Sequence, residues 1–354
     1  MTYPTITVII PRKADGSAEE AVQAVLHSDY PQHLLEIIEV IGESPSKQRN
    51  MAAESAHGEI VYFLDNDSIV TPTLFSRVAK YYDGAQGAGN LPLPAHKREN
   101  WNADAPDEQT RLAGIGGPNL TPTTDGFLQK TFGYALASPF GHFQMCARYK
   151  PAGRMRYTGE KELILCNLSV HRDVFLQEHG FDESMYPNEE NEFINRLVEK
   201  GYRFLYDPDA YVYRSRRNRF LAFIRQLFHY GGGRADQIMV EGFSLKSLLF
   251  FLPLGLLCYT VLLAVLSIGK YAAWWHYPPF ILYWTLAFLS ALQYAVQERN
   301  PLLVGILPLW YFVMHSSYGV GLLWGFLNAW VPIEVTSDDS SPPVEIVVRK
   351  ALHT

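Results

Sequence analysis

The chain has 354 residues, 48% hydrophobic and 14% aromatic, with a formal net charge of -6; it is longer than one ordinary globular core requires. Residues 247–330 hold three of the 66 charged side chains, Lys270, Glu298 and Arg299, and this segregation argues against a wholly soluble protein. Three cysteines, Cys146, Cys166 and Cys258, have no paired spacing and so exclude a zinc or disulfide framework, while an acidic soluble part with no reading-helix motif excludes a nucleic-acid reader.

The opening MTYPTITVII lacks the basic region and long apolar stretch of a signal peptide, so the first 240 residues are expected in the cytoplasm, with the sequons at Asn119 and Asn167 unglycosylated. Thr5 to Ile10 reads as a strand. Ser17 and Glu20 stand at capping-box spacing before a helix with Ala18, Val22, Val25 and Leu26 on one face. Glu36 to Ile41 is a second strand, PSKQRNMAAESA a helix opened by Pro45, Glu59 to Leu64 a third strand, and Thr71 and Pro72 open another helix. This alternation predicts an α/β fold with a mainly parallel sheet, helices on both faces, and ligands at the carboxyl ends of the strands.

Residues 83–113 lack periodicity and read as a long surface excursion. After them come the apolar KTFGYALASPF, a strand in ELILCNLSV, a short helix ending at Gly180, and a helix from Glu189 to Lys200 with Asn188 as its N-cap. RFLYDPDAYVYR reads as two short strands around a turn at Asp207 to Asp209. Three apolar runs, 247–268, 277–297 and 302–330, are each long enough to cross a hydrocarbon core of about 30 Å.

Asp65, Asn66 and Asp67 follow a buried strand, where two carboxylates could hold Mg²⁺ or Mn²⁺ together with substrate phosphates; taken in isolation a DxD is more often an ordinary polar turn. Glu189, Glu190 and Glu192 crowd the first turn of a helix. The macrodipole alone favours them there, and a positioned general base is the functional alternative. Lys47, Gln48 and Arg49 could reach a diphosphate or form a solvated helix face. Six arginines, Arg214, Arg216, Arg217, Arg219, Arg225 and Arg234, occupy residues 212–234 without an acidic residue and suit anionic headgroups or phosphates. RQLFHYGGGR (Arg225 to Arg234) reads as a phosphate cradle or as a basic juxtamembrane helix.

In this order the pieces resemble the family-2 glycosyltransferases, whose catalytic domain has the nucleotide-diphospho-sugar transferase (GT-A) fold. TITVIIP resembles the first strand, SDYPQHLLEIIEVIG the second, SPSKQRNMAAESAHGEIVYFLDND the run into the DxD, and GFDESMYPNEENEFINRLVEKGYRFLYDPDAYVYR the Glu-Asp helix region. ASPFGH, the NEENE helix, RQLFHYGGGR and HSSYGVGLLWGF are similar to membrane-bound transferases of the succinoglycan-biosynthesis type.

The resemblance implies that Asp65 and Asp67 bind Mg²⁺ or Mn²⁺ and the donor diphosphate, and that Glu190, preceded by Glu189, is the catalytic base. Lys47 and Arg49 would reach the diphosphate. Gln226, His229 and Tyr230 occupy the spacing of the QxxRW motif, with Arg225 the nearest strong cation. IGES (Ile41 to Ser44) stands where DDGS is usual, leaving Glu43 for the nucleoside, and His229 stands in place of an Arg. The implied organisation is a catalytic domain at 1–215, a basic juxtamembrane segment with a degenerate QxxRW at 216–246, about three transmembrane helices at 247–332, and a polar tail at 333–354. The expected activity is inverting transfer from a nucleotide-diphosphate sugar to a lipid-linked or polysaccharide acceptor, by a multi-pass inner-membrane enzyme with its catalytic domain in the cytoplasm and other polysaccharide-assembly proteins as partners. The alternative is a catalytically silent, nucleotide- or glycan-binding membrane subunit.

Overall fold

The computed structural model describes residues 3–82, 111–243, 245–328 and 343–352. It divides into two compact units: Met1–Pro122, Ala147–Ser215 and Ser337–Thr354 form one, Thr123–Cys146 and Arg216–Thr336 the other. The first opens with β1 (Ile6–Arg12), α1 (Glu19–Leu26), β2 (Leu35–Ile41), α2 (Pro45–Ser55), β3 (Ile60–Leu64), β4 (Ser68–Val70), α3 (Leu74–Tyr82), β5 (Arg111–Gly116) and β6 (Asn119–Leu120). The chain then contributes α4 (Phe127–Ala137) and α5 (Pro139–His142) to the second unit. It returns as β7 (Arg156–Thr158), β8 (Asn167–His171), α6 (Arg172–Gln177), α7 (Glu189–Glu199), β9 (Tyr202–Tyr206) and β10 (Val212–Arg214). The second unit resumes with α8 (Phe220–Glu241), α9 (Leu252–Ile268), α10 (Pro278–Gln297) and α11 (Leu302–Asn328), and β11 (Glu345–Lys350) closes the first.

An eight-stranded sheet of order β11-β2-β1-β3-β8-β5-β9-β7 organises the first unit. Side chains alternate across it with period two. Ile6, Val8 and Ile10 of β1 and Ile60, Tyr62 and Leu64 of β3 join α1 and α3 in one core, whereas Ile9, Val61 and Phe63 join α2, α6 and α7 in the other. Helices therefore cover both faces, as the periodicity predicts. The sheet is mixed: β2-β1-β3 and β5-β9 pair in parallel, while β8 runs antiparallel to both β3 and β5. The two strands expected in RFLYDPDAYVYR belong to different sheets, because β10 leaves for a three-stranded sheet of order β4-β10-β6. Both sequon asparagines are buried: Asn167 Nδ2 donates to the carbonyls of Pro118 (3.1 Å) and Ala210 (2.8 Å), which leaves no room for a glycan.

Several local expectations are corrected. The helix expected to be capped by Ser17 starts at Glu19, with Ser17 Oγ accepting from the Glu19 amide at 3.2 Å. Asn188 holds the N-cap position of α7, but its side chain accepts from Asn191 Nδ2 at 3.1 Å and makes no capping bond. Of the expected excursion, residues 83–110 lie outside the described residues and 111–113 belong to β5. The expected polar tail, as far as it is described, contains β11, which pairs antiparallel with β2. That pairing explains the buried Glu39: Arg349 Nη1 donates to Glu39 at 3.0 Å and Arg12 engages the same carboxylate, while Lys350 Nζ donates to the Leu35 carbonyl at 2.7 Å.

In the second unit the glycine run at Gly231 to Gly233 brings α8 against α11 at Gly231. A Cβ on Gly231 would stand 2.1 Å from the Tyr318 carbonyl oxygen, and one on Gly321 would stand 2.0 Å from the Phe228 carbonyl oxygen; α8 and α11 thus meet backbone to backbone. Gly232 points away, with its nearest such contact, the Gly321 carbonyl oxygen, at an ordinary 3.7 Å. Gly231→Ala is therefore expected to destabilise the protein by about 1–3 kcal/mol through overpacking. Gly232→Ala should be neutral or stabilising by up to about 1 kcal/mol, since alanine is the better helix former. Thermal unfolding of the detergent-purified variants checks this, and equal midpoints would refute the contact.

The three apolar runs are helical as expected: Ser247–Ile268, Pro278–Gln297 and Leu302–Asn328, with mean hydropathies of 2.5, 1.4 and 1.2, are long and apolar enough to cross a membrane.

Candidate active site

The site is built at the carboxyl end of β3. Asp65 leaves that buried strand, and the turn through Asn66 and Asp67 enters β4 at Ser68. The antiparallel register of β4 and β10 sets Ser68 opposite Arg214, which carries the guanidinium between the two acids: Nη1 is 2.8 Å from Asp65 Oδ2 and Nε is 2.8 Å from Asp67 Oδ1. On the other side, α2 buries the face bearing Ser46, Arg49, Ala52 and Ala53. Arg49 is 5% exposed and bridges Asp65 Oδ1 (2.8 Å) and Glu189 Oε1 (3.1 Å). One cation thus joins the DxD turn to the start of α7.

Both glutamates that open α7 are buried, where an isolated carboxylate would be costly. The helix N-terminus and two arginines supply compensation. Glu189 pairs through Oε1 with Arg49, and its Oε2 is buried without a hydrogen-bond partner among the described residues. Glu190 Oε1 lies 3.5 Å from Arg148 Nη1, and Arg148 also donates to Asn191 Oδ1 at 2.5 Å and to the Glu160 carbonyl. Burial pushes the Glu190 carboxyl up to about 7; Arg148 opposes the shift and Glu189 adds to it. Burial also raises the Glu189 carboxyl, opposed by Arg49. A carboxyl poised near neutrality is suited to proton transfer.

The remaining expected site residues are placed as follows. Glu43 is exposed and paired with Lys13 Nζ at 2.8 Å, and Lys47 is exposed. Gln48 and Arg49 are not a solvated face: Gln48 is 1% exposed, and its Nε2 donates to the carbonyls of Arg12 (3.0 Å) and Val40 (2.6 Å). Arg225, Gln226, His229 and Tyr230 lie on α8 in the second unit, with Arg225 and His229 exposed four residues apart and Gln226 Nε2 donating to the Tyr230 hydroxyl at 2.6 Å. The basic cluster also divides. Arg214 belongs to the carboxylate site, Arg216 is buried, and Arg234 is buried with its guanidinium 4.2 Å from the Phe250 ring centroid; a uniform headgroup-binding patch is therefore corrected. Sequence reading missed Arg148 altogether, and it assigned Arg214 to the membrane because five further arginines follow within 20 residues.

The acids have the right chemistry for a hard divalent ion, since two carboxylates on one turn plus phosphate oxygens make a usual Mg²⁺ or Mn²⁺ ligand set. Among the described residues no group of three or more His, Cys, Asp or Glu could hold a metal, so donor oxygens would have to complete the shell. Arg214 holds the bridging position between the acids, and a cation bound there would have to displace it.

A mixed sheet covered on both faces, with an acid turn at the end of β3, gives the first unit the GT-A fold, the fold of nucleotide-diphospho-sugar transferases. Residues 12–151 match the family described as glycosyl transferase family 2, and the chain carries a family-2 glycosyltransferase domain. Over 72 residues it is 38% identical to the pre-mycofactocin glycosyltransferases of Mycobacterium tuberculosis strains CDC 1551 / Oshkosh and ATCC 25618 / H37Rv, a match covering 20% of this chain and only 14% of the length of those relatives. Among solved structures the fold is similar to mannosyltransferase PcManGT from Pyrobaculum calidifontis in complex with GDP-Man and Mn2+, with a TM-score of 0.51 and 14% identity over 92% of this chain and 88% of that one.

Proposed function

We propose that the protein is a membrane-anchored, inverting glycosyltransferase that moves a sugar from a nucleotide-diphosphate donor to a lipid-linked or polysaccharide acceptor at the cytoplasmic face of the inner membrane. The observation that carries this reading is the linkage, through Arg49, of the Asp65–Asp67 turn to the buried Glu189–Glu190 pair within one unit. The family match to residues 12–151 and the GDP-Man in the similar structure support a nucleotide-sugar donor.

In this reading Asp65 and Asp67 hold Mg²⁺ or Mn²⁺, which when bound neutralises the leaving diphosphate. Arg49 fixes Asp65 and keeps the donor end of the site in register with α7. Glu190 accepts the acceptor hydroxyl proton as the oxygen attacks the anomeric carbon, and Arg148 orients its carboxylate. Lys47, Glu43 and the α8 group Arg225, Gln226, His229 and Tyr230 are assigned to the donor nucleotide and diphosphate, and other polysaccharide-assembly proteins are the expected partners. Because the base acts when ionised, kcat is expected to rise about tenfold per pH unit below about 7 and to level off above it; a flat profile between pH 5 and 8 would remove Glu190 from the role.

A donor screen on purified membranes, with mass spectrometry of the lipid-extractable product, tests the activity. A second reading, a catalytically silent nucleotide- or glycan-binding subunit, is favoured by the engagement of both DxD acids with Arg214. Metal-dependent donor hydrolysis by the purified protein separates the two: turnover refutes the silent subunit, and binding without turnover refutes the enzyme.

A further inference from the structure

The C-terminal strand constrains how the apolar block meets the bilayer. β11 and β2 lie in one sheet, with Ile346 opposite Val40 and Val347 opposite Glu39, so the chain before the apolar block and the chain after it belong to one folded unit. A polypeptide whose two ends share a sheet lies on one side of a bilayer at both ends and crosses it an even number of times. Three helices qualify by length and composition, so at least one of them does not cross. The flanking segments cannot restore the parity. α8 carries Arg225, Arg234, Asp236 and Glu241 along its length, and residues 329–344 are short and interrupted by Glu334, Asp338, Asp339 and three prolines.

We propose that Ser247–Ile268 and Pro278–Gln297 cross the bilayer as a hairpin, and that Leu302–Asn328 does not cross but lies with α8 at the headgroup level. Their surroundings distinguish the three. The most apolar window of Ser247–Ile268 is 6% buried within the protein and that of Pro278–Gln297 is 22% buried, against 33% for Leu302–Asn328, which also has the lowest mean hydropathy. Val261, Val265 and Ile268 on α9 and Ile281, Leu289 and Val296 on α10 are exposed, as a lipid-facing surface requires. α11 also exposes Leu309, Leu323 and Leu327, but it has the larger share of protein contacts, packing on α9 at Gly319, where a Cβ would stand 3.0 Å from the Leu254 backbone, and on α10, where the Tyr283 hydroxyl is 2.9 Å from His315 Nδ1. It meets α8 backbone to backbone at Gly321 and Tyr318, Trp310 Nε1 donates to Thr131 Oγ1 of α4 at 2.9 Å, and a ring nitrogen of His315 lies 3.2 Å from the Gly141 carbonyl of α5. The greater burial and lower hydropathy of Leu302–Asn328, together with its backbone contact to the ionisable α8, single it out as the helix held toward the headgroups. Trp274, Trp275 and Tyr271, in the connection between the two crossing helices, are exposed and suit the opposite interface. The inference rests on the membrane reading of the apolar block and is independent of the transfer reaction.

Membrane-impermeant maleimide labelling in sealed vesicles of both orientations tests it, using single cysteines at Glu54, Tyr271, Arg299 and Glu345 in a chain carrying Cys258→Ser. The expected result is that Glu54→Cys, Arg299→Cys and Glu345→Cys label from one face and Tyr271→Cys from the other. Glu345→Cys on the face opposite Glu54→Cys would overturn the even count. Arg299→Cys opposite Glu54→Cys would overturn the assignment of the hairpin, and all four on one face would overturn crossing itself. Epitope tags at the two termini of the otherwise unaltered chain give the same parity by protease shaving: both lost from one face supports the proposal, and loss from opposite faces refutes it. Carbonate extraction of the protein would sink the membrane reading, whereas retention with the wrong labelling pattern sinks this topology alone.

Discussion

Glu190→Gln is expected to lower kcat by about 10²-fold or more while leaving donor affinity within a few fold, as loss of a general base requires. The same variant should be more stable than the parent at pH 8. Burial raises the Glu190 carboxyl to about 7 in the folded protein, against about 4.3 for an unfolded glutamate. The native state therefore binds the proton more tightly, and stability falls as pH rises between those values. At pH 8 the ionised carboxyl costs the fold on the order of 3–4 kcal/mol, which a neutral glutamine does not incur; at pH 4 parent and variant should unfold alike. Denaturant titrations at the two pH values check the stability, and steady-state kinetics check the rate. Full activity in Glu190→Gln together with a 10²-fold loss in Glu189→Gln would move the base by one residue, to the carboxylate whose Oε2 is buried without a partner among the described residues.

Asp67→Asn is expected to weaken donor binding at least tenfold when Mg²⁺ or Mn²⁺ is present and to leave it unchanged in chelator, because the acid acts on the donor through the metal. Asp65→Asn should do more. Asp65 is a shared acceptor for the buried Arg49 and for Arg214, and its loss leaves Arg49 supported by Glu189 alone. The added cost is on the order of 1–3 kcal/mol of stability, below that of a fully buried pair because the Asp65 side chain is 19% exposed. Arg214→Ala removes the guanidinium between the acids and should tighten Mn²⁺ binding to the donor-free protein, read by calorimetry. Equal donor affinity in Asp67→Asn and parent at saturating metal, or no change in Mn²⁺ affinity in Arg214→Ala, would remove the metal from this turn.

What was legible in the sequence had short-range causes. Short, β-rich, continuously apolar runs in TITVII and EIVYFL mark strands buried on both faces, Pro45 opens α2, and the near absence of charge between 247 and 330 marks the apolar block, because each follows from residues within a turn or a strand of one another. The DxD turn and the NEENE helix were legible for the same reason. What tertiary structure decided was long-range pairing. Arg214 reaches Asp67 across 147 residues, Arg49 reaches Glu189 across 140 and Arg349 reaches Glu39 across 310, and no local pattern encodes these, since they depend on which strand edges meet and in what register. The β4–β10 register turns an apparent membrane-binding arginine into a carboxylate partner, the α2 face turns an apparently solvated arginine into the buried link of the site, and the β11–β2 pairing turns an apparent tail into a sheet edge. Local periodicity specifies that an element forms and which of its faces is apolar; only packing of elements distant in the chain specifies which charges meet.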